Sequence, residues 1–379
     1  MTFKTLAMFN HKGGVSKTTT TFNLAWMLAS KGKRVLMVDA DPQCNLTGVV
    51  LGLNPEWPED ENAPIEMEDL ESVEFSNTQN KAEDFWTTNF ERTLFGALKP
   101  VFDSEPRAIE AIDCLPVPGR DGLYLLPGHL RLGEFEVALG IAQELAGSMS
   151  ALRNLPGSIH YLLKETAESL NVDYVVVDMS PSLGAMNQNL VSISDLLIVP
   201  TSPDFFSIMA LQSLARVLPR WNRWAEAAAA NEVLRDASYP FPKPRIKLAG
   251  LVIQRYRLYR KPTEAEPYGT PTGPFAAWIE KVAMASKDTF LPALDAAGLT
   301  FSSQEYEGAG VPDTAVLAQV QEFNSLLPKS QDFHVPVFEL TDTQLDQVGI
   351  VLEGSRAQIA SLHRIFSAMA DRVIALAGS

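Results

Sequence analysis

Asn10-His11-Lys12-Gly13-Gly14-Val15-Ser16-Lys17-Thr18-Thr19-Thr20 is the stretch that decides the fold. Upstream, Phe3 to Phe9 is an apolar run of strand length, and downstream Phe22 to Ser30 repeats apolar residues at helical spacing, Leu24 and Leu28 among them. Lys31-Gly32-Lys33 ends that helix with cations near its C-terminus and a glycine suited to a left-handed turn. Arg34-Val35-Leu36-Met37-Val38-Asp39 follows as a second strand with an almost unbroken apolar run. A strand–loop–helix–strand start of this kind predicts a parallel sheet covered on both faces. The loop itself has the parts of a phosphate cradle: glycines that let backbone N–H groups point at oxygen, a lysine, and a hydroxyl, all at the positive end of a helix.

The chain of 379 residues is 46% apolar, enough for a sizeable core and long for one domain. Its two cysteines, Cys44 and Cys114, form no pair or cluster with histidine, which argues against structural zinc and for a reducing compartment. No apolar run reaches the roughly 20 residues of a membrane-spanning helix, and the start has no signal-peptide pattern. A cytoplasmic protein is expected. The net charge of −15 is concentrated: between Leu53 and Leu115 sixteen Asp and Glu face four Lys and Arg. That stretch, from about 54 to 118, breaks the regular pattern with prolines and scattered aromatics (Trp57, Phe75, Trp86, Phe90), and it reads as an acidic insertion, partly helical near Phe85 to Leu98.

Further strands are expected at Gly122 to Pro127, Val172 to Met179, Asp195 to Pro200 and Leu248 to Ile253, with a helix around Leu132 to Leu145. Residues 1–341 would form one α/β domain, a mostly parallel twisted sheet with helices on both faces. A Pro/Gly/Thr-rich loop would interrupt it at 261–274, and residues 342–379 would pack on it as a helical extension.

The loop fails the common pattern G-x-x-x-x-G-K-[ST] at both fixed glycines, which are His11 and Ser16. It resembles instead the deviant Walker A loop of the ParA/MinD ATPases, K-G-G-x-x-K-[ST]. Val38-Asp39-Ala40-Asp41-Pro42-Gln43 is similar to that family's D-x-D-P-Q segment, and Val177-Asp178-Met179-Ser180-Pro181-Ser182 to its Walker B and switch II region. Leu126-Pro127-Gly128 and Ile198-Val199-Pro200-Thr201 add to the likeness, which is closest to the ParA-like partition ATPases and thins after about residue 215.

The resemblance implies a P-loop NTPase fold and a set of roles. Lys12, Gly13, Gly14, Val15, Ser16, Lys17, Thr18 and Thr19 would hold ATP. Thr18, Asp39 and Asp178 would serve Mg²⁺, and Lys12, Lys17 and Asp41 would act in hydrolysis, Lys12 by crossing to a partner copy's γ-phosphate and Asp41 by positioning water. Asn189 is aligned with an asparagine that follows switch II. Ordinary readings stand beside these: a solvated lysine at 12, and caps or turn formers at 39, 41 and 178. The histidines are isolated and read as packing or surface residues.

One block opposes the acidic balance. Lys243, Arg245, Lys247, Arg255, Arg257, Arg260 and Lys261 are interleaved with Tyr256 and Tyr259 and contain no acid between them, a candidate surface for DNA. Adenine contact, pairing with the insertion and plain solvation are the alternatives. Arg216, Arg220 and Arg223 form a second group. At the C-terminus Leu345, Val348, Val351, Leu352, Ile359, Leu362, Ile365, Phe366, Met369 and Val373 recur at three- and four-residue spacing. The mixed charge of the opposite face favours packing on the domain over a membrane surface.

The function expected from the resemblance is an ATP-gated homodimer that hydrolyses ATP to partition or position DNA. It would bind DNA nonspecifically, associate with the nucleoid, and be stimulated by a ParB-like or other protein. The rival is a dimeric switch that regulates a protein partner, in a mobile-element, regulatory or defence setting. A metabolic enzyme on the same scaffold would need a further catalytic constellation, and none is evident.

Overall fold

The computed structural model describes residues 3–53, 73–146, 148–260 and 268–378. Its strands are β1 (Lys4–Met8), β2 (Val35–Ala40), β3 (Leu115–Pro116), β4 (Leu123–Leu126), β5 (Tyr174–Met179), β6 (Leu196–Thr201), β7 (Lys247–Tyr256), β8 (Leu258–Arg260), β9 (Thr270–Pro271) and β10 (Val316–Gln321). Eight of them form one sheet in the order β10-β7-β6-β1-β5-β2-β4-β3, and β8 pairs with β9. Every pairing in the large sheet is parallel except β3 with β4 at one edge.

The apolar runs of β2 and β5 are continuous because both faces are covered. Leu36, Val38, Val175 and Val177 face a layer containing Ile159, Leu190 and Leu214 from the helices Leu155–Leu170, Ala185–Ile193 and Phe205–Ala230. Val35, Met37 and Val176 face the other layer, with Leu24 and Leu28 of the helix Lys17–Ser30 and Leu362 and Phe366 of the helix Gly349–Ala377. Each such fully buried aliphatic or aromatic side chain contributes roughly 1.5–3 kcal/mol. Alternate residues of a parallel strand thus feed two cores, and removing either helix layer would expose half the sheet.

Strand β10, whose sequence Val316-Leu317-Ala318-Gln319-Val320-Gln321 carries glutamines among its apolar residues, is an element the sequence reading does not anticipate. It lies at the sheet edge beside β7. The C-terminal segment differs in a second respect, because it is two helices rather than one. Asp342–Leu345 ends at Asp346, which has φ 48°, and the long helix starts at Gly349 with φ 59°. Val348 and Val351 consequently leave the apolar face, at 84% and 62% exposed, whereas Leu362, Ile365, Phe366, Met369 and Val373 are buried. Among the described residues no helix is long and apolar enough to cross a membrane.

In the described part of the acidic segment the helix Val73–Thr88 begins earlier than expected and breaks at Asn89. A further helix, Leu94–Phe102, follows, capped by the Thr93 hydroxyl, which accepts from the Gly96 amide. Trp57, the side chain of Phe75, and Lys261 with the first part of the 261–274 loop lie outside the described residues.

Candidate functional site

The phosphate loop leaves the end of β1 and is pinned from two neighbouring strands, β6 and β7. Asn10, fully buried, donates from Nδ2 to the Pro200 carbonyl (2.8 Å), and its Oδ1 accepts the Lys12 amide (3.0 Å). From the end of β7, Gln254 Nε2 donates to the Val15 carbonyl (3.0 Å) and pairs with Thr20 Oγ1, while Arg255 Nη1 donates to the Gly14 carbonyl (2.7 Å). With these carbonyls held from outside, Gly13 and Gly14 remain exposed at the start of the helix Lys17–Ser30. Ser16, where the common pattern has glycine, still takes the left-handed conformation glycine would favour (φ 54°, ψ 39°). Asn10 and Gln254 are missed by the sequence reading; a buried amide carries no signal without knowledge of what it faces.

Parallel pairing sets the carboxylates. β2 and β5 run in register so that Asp39 lies directly beside Asp178, both fully buried. Thr18 Oγ1 donates to Asp178 Oδ2 (2.7 Å) and Thr21 Oγ1 to Oδ1 (3.3 Å). Asp39 Oδ2 accepts from the Thr47 amide (2.8 Å) and hydroxyl (2.6 Å), and Thr47 Oγ1 in turn accepts from the Gly128 amide (3.0 Å). Gly128 leaves little room for a side chain, since an added Cβ would lie 3.0 Å from the Asp39 carboxyl carbon and its neighbours would have to give.

Burial raises the pKa of Asp39 to about 6, against the hydrogen bonds from Thr47. It raises that of Asp178 as well, with the Asp39 charge adding to the effect and Thr18 opposing it. Lys17 is lowered by its own burial, with Asp178 and Asp41 pulling the other way. Two adjacent carboxylates and one ammonium, dry and short of countercharge, form a site that gains from a cation. Among the described residues no group of three or more His, Cys, Asp or Glu could hold a metal by itself. Threonine and carboxylate oxygens in small number suit magnesium, which keeps part of its water and takes phosphate oxygens. Asp41, 6% exposed, accepts the Gln43 amide (3.0 Å) at the mouth of the site.

Residues 3–227 match the family model described as an AAA domain, AAA_31, which takes in the loop and all three aspartates. The chain belongs to the ParA-like P-loop ATPases. It is 29% identical to the chromosome partitioning protein ParA of Caulobacter vibrioides over 57% of its own length and 62% of that protein's. It is 28% identical to the sporulation initiation inhibitor protein Soj of Bacillus subtilis over 56% of this chain and 63% of that one. The aligned region thus spans less than two thirds of either relative. Protein DIP2308 of Corynebacterium diphtheriae has a crystal structure with the same fold, with TM-score 0.56 and 21% identity over 88% of this chain and 97% of that one.

In this ParA-like chain the loop after Asp178, from Ser180 to Gly184, is held by Asn187. Its Nδ2 donates to the Ser180 carbonyl (2.8 Å) and the Ser182 carbonyl (2.9 Å). Asn189, the asparagine that the resemblance aligns, faces away from that loop: its Nδ2 donates to the Pro156 carbonyl (2.8 Å) in the core. The two asparagines lie two positions apart, about 200° around the helix, and only their placement tells them apart.

Lys12 also has partners within its own ParA-like chain. Its ammonium pairs with Asp204 and donates to Ser207 Oγ (2.9 Å), at the first turn of the helix Phe205–Ala230. Exposed Phe205, Phe206 and Met209 project from that turn.

The basic block does not form one surface. Lys243, Arg245 and Lys247 lie at the start of β7, and Arg255, Arg257 and Arg260 at or beyond its end, roughly 25–30 Å away along an extended strand. Lys247 donates to the Gly298 and Thr300 carbonyls, Arg255 is committed to the phosphate loop, and Arg257 pairs with Glu322 (3.0 Å). Arg216, Arg220 and Arg223 do share one exposed helical stripe.

Proposed function

We propose that this chain binds magnesium-ATP at Lys12–Thr18 and closes as a homodimer with nucleotide between two copies. It hydrolyses ATP slowly, under stimulation by a partner protein, to drive partitioning or positioning of DNA. The observation that carries the reading is the seating of Thr18 against Asp178 (2.7 Å) with Asp39 beside it in register, at the mouth of an open glycine loop.

Lys17 would meet the β- and γ-phosphates, and the amides of residues 13–19 the rest of the phosphate chain. Thr18, Asp39 and Asp178 would hold magnesium, which offsets charge on the phosphate oxygens. Asp41 would orient the attacking water, since phosphoryl transfer depends mainly on positioning and charge stabilisation. Dimerisation is supported by the surface around Lys12. Phe205, Phe206, Met209 and, in the loop after Asp178, Leu183 are exposed apolar residues, of a kind that favours contact with a second surface.

DNA binding is supported by the Arg216, Arg220 and Arg223 stripe and by Arg257 and Arg260 beyond β7, which a dimer would double. Relatives named for chromosome partitioning point the same way. The test is cosedimentation with duplex DNA over a salt series, with ATP, ADP or no nucleotide. Retention with ATP alone, declining with salt, is expected; an ATP-bound dimer that leaves DNA in the supernatant at low salt overturns the DNA part of the reading.

A further inference from the structure

The helix Phe135–Leu145 grips the first residue of the helix that follows the Ser180–Gly184 loop. The Glu136 carboxylate accepts the Ala185 amide through Oε1 and the Met186 amide through Oε2 (3.2 Å). Gln143 Nε2 donates to the Ala185 carbonyl (2.7 Å), and a Cβ added at Gly140 would meet the Ala185 methyl at 3.7 Å. A carboxylate on unpaired first-turn amides makes charge-assisted hydrogen bonds in a favourable dipole. Gly184 is what admits it, because a Cβ there would sit 2.0 Å from Glu136 Oε1. Within the same first turn, Asn187 holds Ser180 and Ser182, so the carboxylate fixes the helix end from which the loop after Asp178 is suspended.

The neighbouring residue faces the acidic segment. Phe135 stacks on Phe95 (ring centroids 4.5 Å apart) and on Phe102 (3.9 Å), both from the helix Leu94–Phe102. Phe95 also stacks on His129 (5.1 Å), and the Leu94 amide donates to the Pro127 carbonyl, next to Gly128 and hence to the Thr47–Asp39 pair. The acidic segment therefore reaches the surroundings of both carboxylates through intermediaries, Phe135 and Glu136 on the Asp178 side and Pro127, Gly128 and Thr47 on the Asp39 side.

We propose that Glu136 is a positioning residue for ATP hydrolysis. With Phe135 it makes the placement of the loop after Asp178 depend on the docking of the acidic segment; this rests on the ATPase reading above. A partner that seizes or shifts the Leu94–Phe102 helix then changes turnover without touching nucleotide.

The experiment pairs amide hydrogen exchange in the nucleotide-free chain with ATPase kinetics, for wild type, Glu136→Ala, Glu136→Gln, Gly184→Ala and the double variant Phe95→Ala/Phe102→Ala. Expected is at least tenfold faster exchange at Ala185 and Met186 in Glu136→Ala, Gly184→Ala and the double variant. Unchanged exchange in Tyr174–Met179 would report an intact core. Turnover should fall about tenfold in the same three, with the affinity for a fluorescent ATP analogue within twofold of wild type, and Glu136→Gln, which keeps one acceptor, should recover most of both. Unaltered exchange and turnover in Glu136→Ala, or affinity lost in step with turnover, overturns the positioning role. Effects in Glu136→Ala that are absent from the double variant overturn the link to the acidic segment. A wild-type chain that hydrolyses no ATP ends the ATPase reading instead, and the exchange arm still decides the link.

Discussion

Lys12 of the phosphate loop is paired with Asp204, the N-cap of the helix Phe205–Ala230, within a single chain. The same carboxylate accepts the Ser207 amide (2.8 Å), so one residue both caps a helix and parks the lysine assigned to the partner's nucleotide. The pairing lowers the pKa of Asp204, against a partial burial that would raise it. Asp204→Ala is expected to cost about 1 kcal/mol through the lost cap, read by chemical denaturation. Lys12→Ala should bind ATP yet remain monomeric by light scattering; an ATP-dependent dimer of Lys12→Ala would refute its assigned role.

Lys17→Ala and Asp41→Ala should separate binding from chemistry. The first removes the buried ammonium that faces Asp178 and Asp41 and is proposed to meet the phosphates, and should lose ATP outright in a filter-binding assay. The second should bind ATP and dimerise while its turnover falls about a hundredfold, within the range for a residue that positions the nucleophile. Normal turnover in Asp41→Ala would remove it from the mechanism.

Asp39 and Asp178 set a pH dependence in the nucleotide-free protein. Both are raised by burial, so the folded chain keeps protons that the unfolded chain releases above its ordinary value of 3.8. The folded state then binds more protons, and stability falls as pH rises from about 3.8 through the folded pKa, about 6 for Asp39, and levels above it. Asp178→Asn should therefore raise the unfolding free energy read from urea titrations by roughly 1–3 kcal/mol at pH 8 and by less at pH 4. Magnesium-ATP should reverse the order, because its cation would supply countercharge beside the carboxylates. An equal gain at both pH values would show that the carboxylate is not held short of countercharge.

Ser16 pays a backbone cost for its place in the loop, at φ 54°. Ser16→Gly should stabilise the chain by about 1 kcal/mol and leave ATP affinity unchanged, as compared by thermal melts and nucleotide titration. Destabilisation would mean that the serine side chain has a partner worth more than the strain.

Much of the site was legible because its chemistry is local. Gly13 through Thr18 must be contiguous to cradle phosphate, and Asp39 and Asp178 lie at the ends of apolar runs that read as buried strands, with Asp41 just beyond the first. What was not legible is how separate segments meet. Arg255 reads as one member of a basic block until β7 delivers it to the Gly14 carbonyl, and Asn187 differs from Asn189 only in which way it faces. Strand β10 was missed because its glutamines blur the apolar run.

The sequence by itself determined the parallel α/β architecture and the phosphate loop, since strand hydrophobicity and loop chemistry are properties of neighbouring residues. The tertiary structure alone decided that Asp39 and Asp178 share a register, that Lys12 rests on Asp204, and that the acidic segment bears on the loop after Asp178 through Phe135 and Glu136. Those are contacts between residues distant in sequence, up to 192 positions apart, which packing selects and no local pattern encodes.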